Sequence, residues 1–167
     1  MVNHRETGDR FELFVEELFR DLGYRDVRRN VVYTRWSRLR GYQGRRQVDV
    51  EARTSLFTGK TIFELKYLSS GERGRLPLHY RNDNLVVTVN DRRKFCKAPH
   101  TSIVTNVYFG DDLILEANEY GIGLLDREDL IGMDIQRGGD SDIERAVAHI
   151  DLRRRGKSIP QRVYCLI

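Results

Sequence analysis

Apolar residues recur at helical spacing in the opening stretch of the chain. Phe11, Val15, Leu18, Phe19 and Leu22 follow an i, i+4, i+7, i+8, i+11 pattern, which predicts an amphipathic helix over residues 8–22. Thr7 suits its N-cap and Gly23 the position just past its end. The period then drops to two. Residues 26–34 predict a strand, as do the runs 46–53 and 60–67, which are joined by the turn-prone segment Thr54–Gly59. Residues 82–97 carry two patterns. The basic end Arg92-Arg93-Lys94 with Pro99 beyond suits a helix, whereas Val86-Val87-Thr88-Val89 suits a strand. Downstream, 101–105 predicts a short strand, 111–120 a helix stopped at Gly121, 122–125 a buried strand and 126–133 a short helix. Gly138-Gly139 marks a break. Ser141 then caps a last helix with Ile143, Ala146, Val147 and Ile150 on one face, and 163–167 predicts an edge strand. Helix, three strands, helix, strand, helix, strand is an α/β plan: a central mixed sheet flanked by helices, with a small C-terminal helical extension.

The runs 46–53 and 60–67 admit one favourable antiparallel register. With Asp49 opposite Glu64, Gln47 falls opposite Lys66 and Glu51 opposite Ile62. The other face pairs Val48 with Leu65, Val50 with Phe63 and Ala52 with Thr61. One face is then nearly all apolar and the other collects the charges. Opposed carboxylates repel, and a bound cation would remove that repulsion. An aspartate on one strand and Glu-x-Lys on the next is a pattern by which a divalent-metal nuclease places ligands and a lysine; an ordinary hairpin with a solvated polar face is the plainer alternative. Gln47 would orient Lys66. Glu12, in the first turn of the opening helix, favours the helix dipole or supplies a further carboxylate.

The composition fits a globular chain of one domain: 167 residues, 40% hydrophobic and 32% charged. No apolar run suits a membrane helix, and the polar N-terminus lacks the apolar segment of a signal peptide. Cys96 and Cys165 lack metal-ligand spacing and suit free thiols in a reducing compartment. A soluble cytoplasmic protein is the expectation. The net charge of +4 is unevenly spread: residues 1–100 carry 21 Lys+Arg against 13 Asp+Glu, and residues 101–167 carry 8 against 12. A basic half that also holds the acidic pair points to a polyanionic substrate. Residues 35–46 concentrate Arg35, Arg38, Arg40, Arg45 and Arg46 with Trp36 and Tyr42. They are expected to form a mobile loop, either a solvated connection or one that sets Arg on phosphates with aromatics available to stack or wedge. A second basic loop, 69–75, carries Arg73 and Arg75.

Together these residues resemble the PD-(D/E)xK, or restriction-endonuclease-like, nucleases, and within them the Mrr-like branch. Gly8-x-x-Phe11-Glu12-x-x-Val15-x-x-Leu18-Phe19-x-x-Leu22-Gly23-Tyr24 is similar to that branch's first helix. Gln47-Val48-Asp49-Val50 resembles its acidic strand, and Phe63-Glu64-Leu65-Lys66-Tyr67 its Glu-x-Lys strand. Ile103-Val104-Thr105-Asn106, Ala117 and Gly121 to Asp126 resemble its later strand–helix–strand segment. The likeness covers about residues 8–130, which leaves about 134–167 as an extension of one domain. It implies a Mg²⁺-dependent endodeoxyribonuclease, with Mn²⁺ able to substitute. By resemblance, Asp49, Glu64, the Leu65 carbonyl and Glu12 hold metal, and Lys66 serves the reaction. Gln47 stands where the family often has Gly, and 67–82 aligns with nothing. The branch usually carries a DNA-reading domain beside the part matched here. Other functions therefore stay open: a homodimeric Holliday-junction resolvase, a cutting subunit served by a partner, or a non-catalytic DNA-binding or assembly subunit.

Overall fold

The computed structural model describes residues 4–54, 59–69, 74–139, 141–150 and 161–166. Helix α1 (His4–Asp21) begins a turn earlier than predicted, so Thr7 lies inside it. Gly23, at φ +84°, makes the left-handed turn that ends it, and the Tyr24 N–H returns to the Phe19 carbonyl. Strands β1 (Arg25–Ser37), β2 (Gly41–Arg53) and β3 (Thr61–Lys66) follow. Three two-residue strands, β4 (Arg75–Leu76), β5 (His79–Tyr80) and β6 (Asp83–Asn84), lead into α2 (Leu85–Cys96). The valine run 86–89 is helical because both ends are capped. Asn84 accepts the Val87 N–H at 3.0 Å, and Lys97 closes the helix at φ +50°. Then come β7 (His100–Thr105), β8 (Tyr108–Phe109), α3 (Asp111–Tyr120), β9 (Gly123–Leu125), α4 (Arg127–Gln136), α5 (Ile143–His149) and β10 (Gln161–Leu166). Asp142 caps α5, not Ser141: its carboxylate accepts the Arg145 N–H, while Ser141 adopts φ +67° ahead of it.

The central sheet is mixed, six-stranded and ordered β10-β1-β2-β3-β7-β9. β1–β2 and β2–β3 are antiparallel, and the other pairs are parallel. β9 is the edge strand with half-buried leucines, where a buried strand was expected. Helices cover both faces. On one, Phe11, Val15, Leu18 and Phe19 of α1 meet Val50, Phe63 and Leu65, with Leu130 of α4 and Ile143 and Val147 of α5. On the other, Val86 and Val89 of α2 and Leu113 and Ala117 of α3 pack on Ile103, while Cys96 and Ala98 meet Val31, Tyr33, Val48 and Ile62. α5 and β10 thus belong to this body: α5 completes a core and β10 pairs with β1.

Residues 35–46 do not form the expected loop. They are the outer half of a β1–β2 ribbon whose strands stay paired from Arg25↔Arg53 to Ser37↔Gly41. The pairing shifts from Arg35↔Gly44 to Trp36↔Tyr42, so Gln43 is an extra residue on β2. Gly44 makes the bulge possible at φ +134°.

Candidate active site

The ladder between β2 and β3 has the predicted register, Val50↔Phe63, Glu51↔Ile62 and Ala52↔Thr61, and ends there. Asp49 and Glu64 are next in line, where the strands part. In place of a ladder bond, the Leu65 N–H donates to Asp49 Oδ2 at 2.8 Å. The aspartate therefore ties the end of β3 to β2 through its side chain.

Side-chain alternation on β2 breaks at the same residue. Val50 packs on the α1 face with Phe63, but Val48 packs with Ile62 and Cys96 on the α2 face. Val48 thus leaves the nearly all-apolar face expected for it beside Val50 and Ala52. β1 does the same across the ribbon. Val27 lies in the α1-face core and Val31 in the α2-face core. Between them is Asn30, at φ +55°. Arg29↔Val50 and Val31↔Val48 hold the register through this point, so both strands change face together. The kink frees Asp49 from the alternating pattern and brings Asn30 beside it.

Two charged groups meet around this kink. In the first, Glu12 of α1 faces Asp49. Glu12 titrates far above an ordinary glutamate, at about 8, because it is buried and then because Asp49 and Asp9 repel its charge; Arg29 and a hydrogen bond with Asn30 oppose this. Its Oε2 is buried with no hydrogen-bond partner. Arg29 is held by a buried ion pair with Glu16 one turn further along α1, Nε to Oε2 at 3.1 Å. In the second group, Glu64 is buried, and Lys66 Nζ donates to its Oε1 at 2.5 Å. Its other oxygen is ion-paired with Arg92 of α2. Lys66 also lies 5.8 Å from the Tyr80 ring centre. Among the described residues, no three His, Cys, Asp or Glu side chains form a group able to hold a metal ion as they stand.

Gln47 is exposed, and its amide donates to Asn30 Oδ1 at 2.9 Å; the ladder ends before Gln47 and Lys66 could face each other. Of the predicted phosphate contacts, Arg38, Arg40, Arg45 and Arg46 are exposed on the ribbon. Arg35 is committed to α2: it donates to the Lys94 carbonyl at 2.7 Å and lies 4.7 Å over the Phe95 ring. Arg75 pairs with Asp111 at 3.0 Å. Arg73, most of the turn between β2 and β3, and the basic stretch 153–157 lie outside the described residues. Glu51, two residues from Asp49, is occupied elsewhere. It accepts from Arg28 Nε at 2.8 Å and from the Tyr33 hydroxyl, beside a cleft of about 540 Å³ that Lys60 and Arg53 also line.

Sequence reasoning missed Asn30 and Arg92. Asn is a residue type that tolerates the left-handed conformation, but nothing marks which Asn adopts it. Arg92 reads as one of three basic residues at a helix end.

No family model matches the chain, and no curated protein matches it. Among solved structures, it is similar to a protein of unknown function, AF1548, at a TM-score of 0.59 and 15% identity, over 79% of this chain and 67% of that one. It is similar to VC1899 from Vibrio cholerae at 0.51 and 16%, over 82% and 33%. The MspJI restriction endonuclease in complex with a 27-mer oligonucleotide gives 0.46 and 18%, over 84% and 31%. The chain spans about a third of the length of the latter two. What the first two likenesses share with this chain is a fold: helices around a central mixed sheet.

Proposed function

We propose that this protein is a divalent-metal-dependent DNA endonuclease of the restriction-endonuclease-like, Mrr-like type. The observation that carries the reading is that two charged groups, Glu12 with Asp49 and Glu64 with Lys66, flank the point where β2 and β3 part. Ionising Glu12 beside Asp49 is costly without a counter-charge, and the unpartnered Glu12 oxygen there suits a cation. Glu12 and Asp49 would hold Mg²⁺ or Mn²⁺, with the Leu65 carbonyl by resemblance, and Glu64 would join by exchanging Arg92 for the ion. A divalent ion there supplies a bound water of lowered pKa as nucleophile. As a ligand Glu12 would be ionised, which the ion's charge would favour. Lys66, on the same side of β3 as Glu64, stabilises charge on the scissile phosphate. Arg92, beside Glu64, would do the same if freed from that pair.

The test is cleavage by wild type and Asp49→Ala of plasmid, linear duplex, single strand, four-way junction and RNA, with Mg²⁺, Mn²⁺ or EDTA. Metal-dependent cutting of DNA by wild type alone is expected, and preference for the junction would favour a homodimeric resolvase. The Arg92–Glu64 ion pair favours a second reading, a DNA-binding subunit that cuts only with a partner or not at all. DNA binding without cutting under every condition would select it. Calorimetry adds a separate check: Mn²⁺ binding that survives Asp49→Ala overturns the ligand assignment.

A further inference from the structure

The outer end of the β1–β2 ribbon is built unlike a solvated turn. Trp36 and Tyr42 sit opposite each other, 45% and 56% exposed, with ring centres 5.9 Å apart at 69°. Leu39, at the tip, is 97% exposed. The turn is ordered by Ser37 Oγ, which accepts the Leu39 and Arg40 N–H groups at 3.3 and 3.2 Å. Around this apolar tip stand Arg38, Arg40 and Arg45, and residues 35–46 include no Asp or Glu. The ribbon is braced at its root. Arg35 and Arg46 both lie over the Phe95 ring of α2, at 4.7 and 5.2 Å, on the helix that carries Arg92 into the site.

The charge selects the occupant. A second copy docking tip to tip would bring two arginine clusters together without a carboxylate between them. A polyanion neutralises them. The aromatic and aliphatic tip adds a second requirement, because it has π-faces and an apolar end to bury. In a perfect duplex the base faces are covered by their neighbours, and they become available only where bases are unpaired or a step is unstacked. We therefore infer that the ribbon tip inserts into DNA at an unpaired or branched step, with the arginines on the flanking phosphates. The eight residue-to-residue steps of strand from Asp49 to Gly41, at about 3.3 Å each, span roughly 26 Å at most. At about 3.4 Å per base pair, this places the cut within about one helical turn of the distortion. The position of the cut rests on the nuclease reading; the binding preference does not.

Trp36 is the sole tryptophan of the chain, so its emission reports the tip directly. The experiment titrates the full chain, in EDTA, with a short perfect duplex and with the same duplex carrying a central bulge. Roughly tenfold tighter binding to the bulged duplex is expected, with Trp36 emission quenched as bases stack on it. The double variant Leu39→Ser, Tyr42→Ser should lose the preference and keep the affinity for the perfect duplex. Equal affinity for both duplexes overturns the inference, as does unchanged Trp36 emission at saturation. Sedimentation showing a dimer with Trp36 already buried also overturns it, in favour of a second copy. Because no metal is present, failure to cut DNA leaves this result readable. Conversely, efficient cutting of perfect duplex with no bulge preference would sink the wedge and spare the nuclease.

Discussion

At the residue scale, the carboxyl of Glu12 has a consequence for stability with a definite sign. Burial and Asp49 raise it from 4.5 to about 8. Between those values the unfolded chain is ionised at Glu12 while the folded chain keeps the proton. Folding then takes up a proton, so this contribution is full below pH 4.5, falls as pH rises and is lost above about 8. Glu12→Gln removes the loss: its stability relative to wild type should grow between about pH 4 and pH 9 by on the order of 2–4 kcal/mol. Thermal unfolding without metal tests this, and a gap that stays flat with pH would show that Glu12 is not the buried acid. Arg92 carries a second prediction. Under the proposed function it would compete with the ion for Glu64, so Arg92→Ala should bind Mn²⁺ several-fold more tightly by calorimetry yet cut DNA more slowly; weaker metal binding would make Arg92 a support for Glu64 instead. Glu64 and Lys66 were legible as neighbours because strand parity puts them on one side of β3, where Lys66 donates to Glu64; Asp49 reaches the end of β3 by a kink that parity does not predict. Arg92 was not legible, because its position depends on how α2 crosses the sheet, which no local pattern encodes.

At the scale of elements, the segment following Lys66 is fixed by one side chain. Asn106, just past β7, accepts the Leu68 N–H and donates to the Leu68 carbonyl, both at 2.8 Å. Arg127 of α4 donates to the Asn106 carbonyl at 3.2 Å and pairs with Glu144 of α5. Asn106→Ala leaves two backbone groups of Leu68 without these partners and should cost about 2 kcal/mol in urea unfolding. A loss near zero would mean that water replaces the amide and that Lys66 is positioned some other way. The helices were readable where an apolar stripe met a cap or a glycine, as at Gly23 and Gly121. The β2–β3 register was readable because only one alignment keeps Val50 and Phe63 together. The ribbon was not. Its outer half packs against no core over most of its length, so it shows no apolar alternation, and Gly41 and Gly44 read as loop residues. The change of face at Asn30 and Asp49 was hidden too, since period-two reasoning assumes that the pleat continues.

At the scale of the whole molecule, charge and topology act together. The excess of basic residues lies in the first hundred positions, and the ribbon presents four exposed arginines to solvent. Replacing Arg38, Arg40 and Arg45 by Ala should lower DNA affinity at low salt and flatten the log–log salt dependence by about 2–3 units. An unchanged slope would place the phosphates on another surface. Among the described residues, no helix is long and apolar enough to cross a membrane. The β10 strand, from the far end of the chain, lies alongside β1 from Val31↔Gln161 to Trp36↔Leu166. That pairing has a consequence in time as well as in space. During synthesis β1 and β2 are made early, but the strand that covers β1's outer edge is made only after the rest of the sheet. Until then the nascent protein carries a bare strand edge, a template for pairing with the wrong chain. Contacts so distant in sequence also form late in refolding. Yield from the cell should therefore depend on how quickly translation reaches residue 166.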